Sequence, residues 1–188
     1  MTEARHKRFA IIMAGGRGER FWPLSRESTP KQLIRLLGDT SLLQEAVRRI
    51  QSVIPLENIL VITNESQLKA VRRQLAQLPS ANVIAEPCGR DTCAAVALGA
   101  AIVAQRCANG VMAVLPADHV IAQSRAFQKV LRDTMKVAAH NDVMVTIGIP
   151  ATEPSTAYGY IRFVEKKLQA GEYDKVATSM HRVERFVE

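Results

Sequence analysis

The stretch Phe9-Ala-Ile-Ile-Met-Ala-Gly-Gly-Arg-Gly-Glu-Arg-Phe-Trp-Pro23 runs from an unbroken apolar segment straight into three glycines, and this junction decides the fold. A continuous apolar run such as 9–13 predicts a strand covered on both faces. Gly15, Gly16 and Gly18 remove side chains and permit positive φ, so successive backbone N–H groups can turn toward one anion. Arg17, Arg20 and Lys31 add fixed positive charge beside them. Strand, glycine loop and cations together make a cradle for polyphosphate.

Working outward, short apolar runs recur at 59–63, 82–85, 111–115 and 143–147, most without period-2 alternation. Each predicts a buried strand. Helical segments lie between them: Ser41 with Gln44, and Asn64 with Gln67, both fit the capping-box pattern. Leu43, Val47, Ile50 and Ile54 form one core stripe, and Leu68, Val71, Leu75 and Leu78 another. Residues 91–107 are apolar nearly all round and rich in Ala94, Ala95, Ala97, Gly99, Ala100 and Ala101, which predicts a helix buried closely against a sheet. A fourth helix is expected over 124–139, with Phe127, Val130, Leu131 and Ala138 inward. Strands alternating with helices predict an α/β, three-layer sandwich around a parallel sheet.

Beyond Pro150 the pattern changes. Pro150, Pro154, Thr156 and Gly159 mark a loop, 160–164 and 182–187 read as strands, and 166–173 reads as a polar excursion. The last strand runs to Glu188 with no cap behind it, as expected of a chain cut within a domain. No internal repeat or linker divides residues 1–188, which therefore read as one domain.

The 188 residues are 47% hydrophobic and 23% charged, the composition of an ordinary globular domain. The formal net charge is +7, and the first 36 residues supply +5 of it, from eight Lys or Arg against three Glu. The positive field is thus centred on the glycine loop. With 5% aromatic residues and no basic stripe interleaved with aromatics, a small anion fits better than nucleic acid. Cys88, Cys93 and Cys107 are odd in number and lack C-x-x-C spacing, so reduced thiols in a cytoplasmic setting are expected rather than disulfides or zinc. No apolar run is long enough for a signal peptide or a membrane span.

The loop itself is not a dinucleotide fingerprint, because Phe21 stands where the third glycine belongs, and no Gly-Lys-Ser/Thr follows to make a Walker A loop. A dehydrogenase would also need an acidic ribose ligand about 20 residues on; Asp39 is near that distance but lies in a Gly38-Asp39 turn. Asp118 stands at the carboxyl end of the 111–115 strand, where open α/β sheets bind ligands. A hard carboxylate there suits Mg²⁺, and it equally suits an Asx turn. His119 beside it is a softer donor and reads as a structural neighbour rather than a ligand.

Read in order, Gly15-Gly16-x-Gly18-x-Arg20-x-x-Pro23 followed by Pro30-Lys31-Gln32 resembles the signature of the sugar-1-phosphate nucleotidylyltransferases. The variant Phe21-Trp22-Pro23-Leu24-Ser25-Arg26 is most similar to the branch that acts on mannose 1-phosphate with GTP. Glu86-Pro87-x-Gly89-Arg90-Asp91-Thr92, Leu115-Pro116-Ala117-Asp118-His119, Tyr158-Gly159-Tyr160-Ile161 and Arg185-Phe186-Val187-Glu188 extend the resemblance over most of the chain.

The resemblance implies a Rossmann-like nucleotidyltransferase fold with a mainly parallel, mixed sheet, C-terminally incomplete here because a Lys-Pro pair, an Asn-Gly turn and a second metal aspartate are expected after Glu188. It implies transfer of a guanylyl group from GTP to mannose 1-phosphate, giving GDP-mannose and pyrophosphate, as a step of polysaccharide precursor synthesis. Arg17 and Lys31 would be catalytic. Ala14, Gly15, Gly16, Arg17, Gly18, Glu86, Gly89, Asp91 and Thr92 would bind the nucleotide, with Asp91 and Thr92 equally readable as helix caps. Guanine offers N1–H and N2–H₂ donors that Glu86 or Asp91 can accept. Lys31, Tyr158, Gly159 and Glu188 would bind the sugar phosphate, and Asp118 would hold Mg²⁺. A homodimer is the candidate assembly. The rival expectation is a nucleotide-binding module that turns over poorly or not at all, and a sister enzyme using another nucleoside triphosphate is the third.

Overall fold

The computed structural model describes residues 6–16, 23–25, 30–35, 38–89, 91–168 and 176–187. They form two compact units, residues 1–128 and 129–188.

In the first unit, β1 (Arg8–Met13), β2 (Ile59–Asn64), β3 (Val83–Glu86) and β4 (Val111–Pro116) make a four-stranded sheet in the order β3-β2-β1-β4. All three pairings are parallel, with Ile11 opposite Leu60 on one side and Val114 on the other. The central strands are the continuous apolar runs, and Ala10, Ile11, Ile12, Ile59, Leu60 and Val61 are fully buried. Burial on both faces needs helices on both faces. The order supplies them: β1→β2→β3 steps one way and β3→β4 steps back past β1. Right-handed crossovers therefore put α1 (Leu42–Ile50) and α2 (Glu65–Gln74) on one face and α3 (Asp91–Arg106) on the other.

On the α3 face Phe9, Ile11, Leu60 and Ile62 pack with Ala95 and Val103. Gly99 is required there, because a Cβ would lie 2.9 Å from Ile11 Cγ1 and closer still to Cδ1. The helix is not buried all round, as its sequence suggested. Only Ala95, Gly99 and Val103 are buried, while Ala94, Ala97, Ala101 and Ala104 are exposed. Small size here serves close approach along one line at i, i+4 and i+8, not envelopment.

Ser41 caps α1 with the full reciprocal box, its Oγ accepting from Gln44 N at 3.2 Å and its N–H donating to Gln44 Oε1 at 2.9 Å. Asn64 caps α2 but the second box is not closed. Asn64 Oδ1 accepts from Gln67 N at 2.9 Å, and the Gln67 side chain turns elsewhere. Helix α2 also ends at Gln74, so Leu75 and Leu78 are buried from the turn that follows.

The second unit begins within α4 (Ser124–His140), where Leu131, Thr134, Met135 and Val137 are buried. Phe127, Val130 and Ala138 are only partly covered, so the inward stripe lies about one position off the expected one. β5 (Tyr160–Lys167) and β6 (His181–Val187) pair antiparallel as a separate two-stranded sheet. The central sheet is therefore all parallel among the described residues rather than mixed as expected, and the antiparallel pairing lies in this separate sheet. β5 takes in Lys166 and Lys167, which the polar pattern assigns to an excursion. The run 143–147 is not a strand. A strand exists through a neighbour's ladder, and among the described residues the only backbone bond from 143–150 is Val143 N–H to Asn141 O at 2.9 Å.

Candidate functional site

All four parallel strands deliver their carboxyl ends to one edge, and the strand order reverses between β1 and β4, because the chain leaves β1 toward β2 and returns on the other side. Such a switch point opens a crevice for ligands. Gly15 and Gly16 follow β1 into it, Glu86 ends β3, and Asp118 lies in the Ala117–Asp118 turn two residues past β4. The ladder persists past the strands, with Ala14 N donating to Ile62 O at 2.7 Å and Ala117 N to Met13 O at 3.2 Å.

Lys31 opens a single 3-10 turn, Lys31–Leu33, started by the extended Pro30 and closed by Leu33 N donating to Pro30 O at 2.9 Å. Its Nζ makes an ion pair with Asp118 Oδ2, both side chains being about a quarter exposed. Its stem passes Gly16, whose Cβ, if present, would meet Lys31 Cε at 3.9 Å. On the other flank a Cβ at Gly15 would come within 3.2 Å of Glu86 Oε2. The two glycines are thus bracketed by a cation on one side and a carboxylate on the other.

Sequence reasoning gives Lys31 and Asp118 separate roles, and the structure brings them into direct contact. It also reveals a polar network that the sequence does not flag. Gln32, 1% exposed, donates from Nε2 to Ala14 O at 2.7 Å, Gly16 O at 3.3 Å and Gln67 Oε1 at 2.6 Å. Thr63 Oγ1 donates to Ala14 O at 3.0 Å, and Asn64 Nδ2 to Gly15 O at 3.2 Å. In the sequence Gln32 stands in the Pro30-Lys31-Gln32 motif without a role, and Gln67 has only a local box to complete. Arg49, near the end of α1, donates from Nη2 to His119 O at 3.0 Å, while its own carbonyl accepts from Gln128 Nε2 at 2.7 Å. Burial lowers the Arg49 pKa, and the Glu45 charge partly offsets this. His119 itself is exposed, and its backbone carbonyl is the acceptor.

In the 86–92 segment Gly89, Asp91 and Thr92 are exposed. Asp91 has φ of 52°, the left-handed region a non-glycine residue enters at a cost, and such strain concentrates at functional turns. In the second unit Tyr158 and Gly159 lie in the exposed turn before β5, closed by Tyr160, whose hydroxyl accepts from Ser155 N at 2.7 Å and donates to Ser155 O at 2.9 Å. Arg17, Gly18, Arg20 and Glu188 lie outside the described residues. The three cysteines are free thiols. Among the described residues no group of three or more His, Cys, Asp or Glu side chains is arranged to hold a metal, and no helix is long and apolar enough to cross a membrane.

A parallel α/β sheet with a glycine loop, a lysine and a carboxylate at its switch point defines a phosphate-handling nucleotide fold. The chain belongs to the nucleotidyl transferase family, whose model matches residues 9–188. It is 44% identical over 190 residues to mannose-1-phosphate guanylyltransferase of Escherichia coli strain K12, covering 98% of this chain and 38% of that protein. It is 38% identical over 180 residues to the alginate biosynthesis protein AlgA of Pseudomonas fluorescens, covering 95% of this chain and 35% of the relative. The crystal structure of a mannose-1-phosphate geranyltransferase from Thermus thermophilus superposes with a TM-score of 0.79 at 34% identity, covering 97% of this chain and 50% of that one. The chain therefore spans less than two-fifths of the length of these sequence relatives.

Proposed function

We propose that this chain carries the nucleotide-binding part of an enzyme that joins GTP and mannose 1-phosphate into GDP-mannose with release of pyrophosphate. The observation that carries the reading is the convergence of Gly15, Gly16, Glu86, Lys31 and Asp118 on the carboxyl edge of β1, β3 and β4. The names of the guanylyltransferase relatives support the choice of substrates.

In this reading an oxygen of the sugar phosphate attacks the α-phosphorus of GTP in line, a new P–O bond forms, and the α–β bridging bond breaks with its electron pair leaving on pyrophosphate. The nucleophile is already ionised near neutral pH, so the chain's task is positional and electrostatic. Lys31 neutralises charge on the reacting phosphates, with Arg17 against the triphosphate. The Gly15 and Gly16 amides supply donors with no side chain in the way. Glu86, Gly89, Asp91 and Thr92 hold the base, and Tyr158, Gly159 and Glu188 the sugar.

The donor chemistry fits Mg²⁺. Asp118 is a hard, partly exposed carboxylate at the same edge, and this ion takes one or two carboxylates and completes its shell with phosphate oxygens and water. Asp118 would hold it, and when bound it would supply charge neutralisation on the phosphates. We further read residues 1–188 as one nucleotidyltransferase domain, at work in the cytoplasm where GTP is drawn on, with self-association as a homodimer.

The test is pyrophosphate release from the chain with Mg²⁺, mannose 1-phosphate and each nucleoside triphosphate in turn. Release with GTP alone is expected. Release with UTP or dTTP would reassign it to a sister activity, and GTP binding without release would reduce it to a binding module.

A further inference from the structure

We infer that Gln32 is a positioning residue that sets both the orientation of the glycine loop's amides and the distance from that loop to Lys31. Three successive carbonyls of the loop are held by side chains: Ala14 O by Gln32 and Thr63, Gly15 O by Asn64, and Gly16 O by Gln32. In a trans peptide the C=O of one residue and the N–H of the next point in opposite directions. Drawing the Ala14 and Gly15 carbonyls inward therefore turns the Gly15 and Gly16 N–H groups away from Gln32, Thr63 and Asn64. That is the orientation an anion needs.

Thr63 alone would satisfy Ala14 O, so Gln32 is not there merely to pair a buried acceptor. Its distinct contribution is a bridge: among the described residues it alone hydrogen-bonds the Lys31–Leu33 turn to residues 14–16. The turn is itself fixed at its far side, where Gln74 Nε2 donates to Leu33 O at 3.2 Å. The amide orientation of Gln32 follows from its partners, since two of them are backbone carbonyls that only accept. Gln67 Oε1, on α2, receives the same nitrogen and stops the amide rotating away. Lys31 and the loop amides are thus locked to one another through a buried side chain adjacent to Lys31 in sequence.

The inference rests on the guanylyl-transfer reading only for the identity of the anion, GTP. It is tested on the whole chain with Gln32→Met, which keeps length and loses the donor, and with the double variant Gln32→Met/Gln67→Met. Gln32→Met is expected to weaken Mg·GTP binding about tenfold in calorimetry, the worth of one well-placed hydrogen bond. Backbone ¹⁵N order parameters of Gly15 and Gly16 should fall from the rigid range near ~0.85 toward ~0.6. The double variant, which no longer leaves Gln67 Oε1 with only the long 3.5 Å bond from Thr63 Oγ1, should recover melting temperature but neither affinity nor order. Affinity that recovers in step with melting temperature would show a purely structural role and overturn the inference. So would unchanged GTP affinity in the single variant. If the parent chain binds no GTP, the guanylyl reading fails by itself, and the order parameters still decide: unchanged values at Gly15 and Gly16 overturn the inference, lowered values sustain it.

Discussion

Lys31 and Asp118 neutralise one another at the edge of the sheet, and both remain reachable from solvent. A partly exposed pair of this kind contributes at most about 1 kcal/mol to stability. Lys31→Ala should therefore leave the melting temperature within a few degrees of the parent, yet lower kcat on the order of 100-fold or more, as expected of a lost transition-state donor. Steady-state rates at saturating substrates check this; turnover within a few-fold of the parent would remove Lys31 from the chemistry. Asp118→Asn separates the two roles open to that residue. Held as a metal ligand, it should raise the Mg²⁺ concentration needed for half-maximal activity, whereas an Asx-turn aspartate would leave the titration unchanged and lower only stability. Arg49 is the less visible partner. It reads as one more helix arginine, and nothing in its spacing signals that its guanidinium reaches the carbonyl of His119 across the fold.

At the scale of elements, α3 shows how packing overrules propensity. Alanine is the better helix former by about 1 kcal/mol, so Gly99→Ala ought to stabilise an isolated helix. Here the new methyl would meet the fully buried Ile11 side chain, which must shift within the core, and overpacking of this kind costs about 1–3 kcal/mol. We expect a lower melting temperature, by about 2–4 °C per kcal/mol in a chain of this length. A rise instead would mean that β1 and α3 are less tightly apposed than described. The strands and helices themselves are legible because their signals are local: apolar runs buried on two faces, a Ser41–Gln44 box, a glycine line. What escapes reading depends on residues distant in sequence. Gln67 abandons its box because Gln32, 35 residues away, offers a better donor. Residues 143–147 carry strand composition yet join no ladder among the described residues. The site follows the same rule, since Gly15, Gly16, Lys31, Glu86 and Asp118 are found by motif, while Gln32, Thr63 and Asn64 act through contacts that no spacing announces.

For the whole molecule, resistance to opening should be sharply uneven. In the first unit β1 and β2 sit between neighbouring strands on both sides, under helices on both faces, and their side chains from Ala10 to Ile12 and from Ile59 to Ile62 are at most 1% exposed. Amides so placed exchange only when the unit unfolds as a whole. In the second unit β5 and β6 pair, among the described residues, only with each other, and Phe163 at 49% and Phe186 at 66% exposure show how little of the hairpin is covered. A two-stranded sheet alone is marginal in water. The Arg162–Glu184 ion pair, 2.7 Å long but solvent-exposed, adds little to it. Native-state hydrogen exchange should therefore give β1 and β2 amides the global free energy of unfolding, and β5 and β6 amides values lower by several kcal/mol. Increasing denaturant should release the hairpin first, while adding GTP and Mg²⁺ should raise protection in the first unit, by RT ln(1 + [L]/Kd) if binding is confined to the folded state. Equal protection in the two units would overturn this division. It would mean that the hairpin is held by contacts its exposed faces do not reveal.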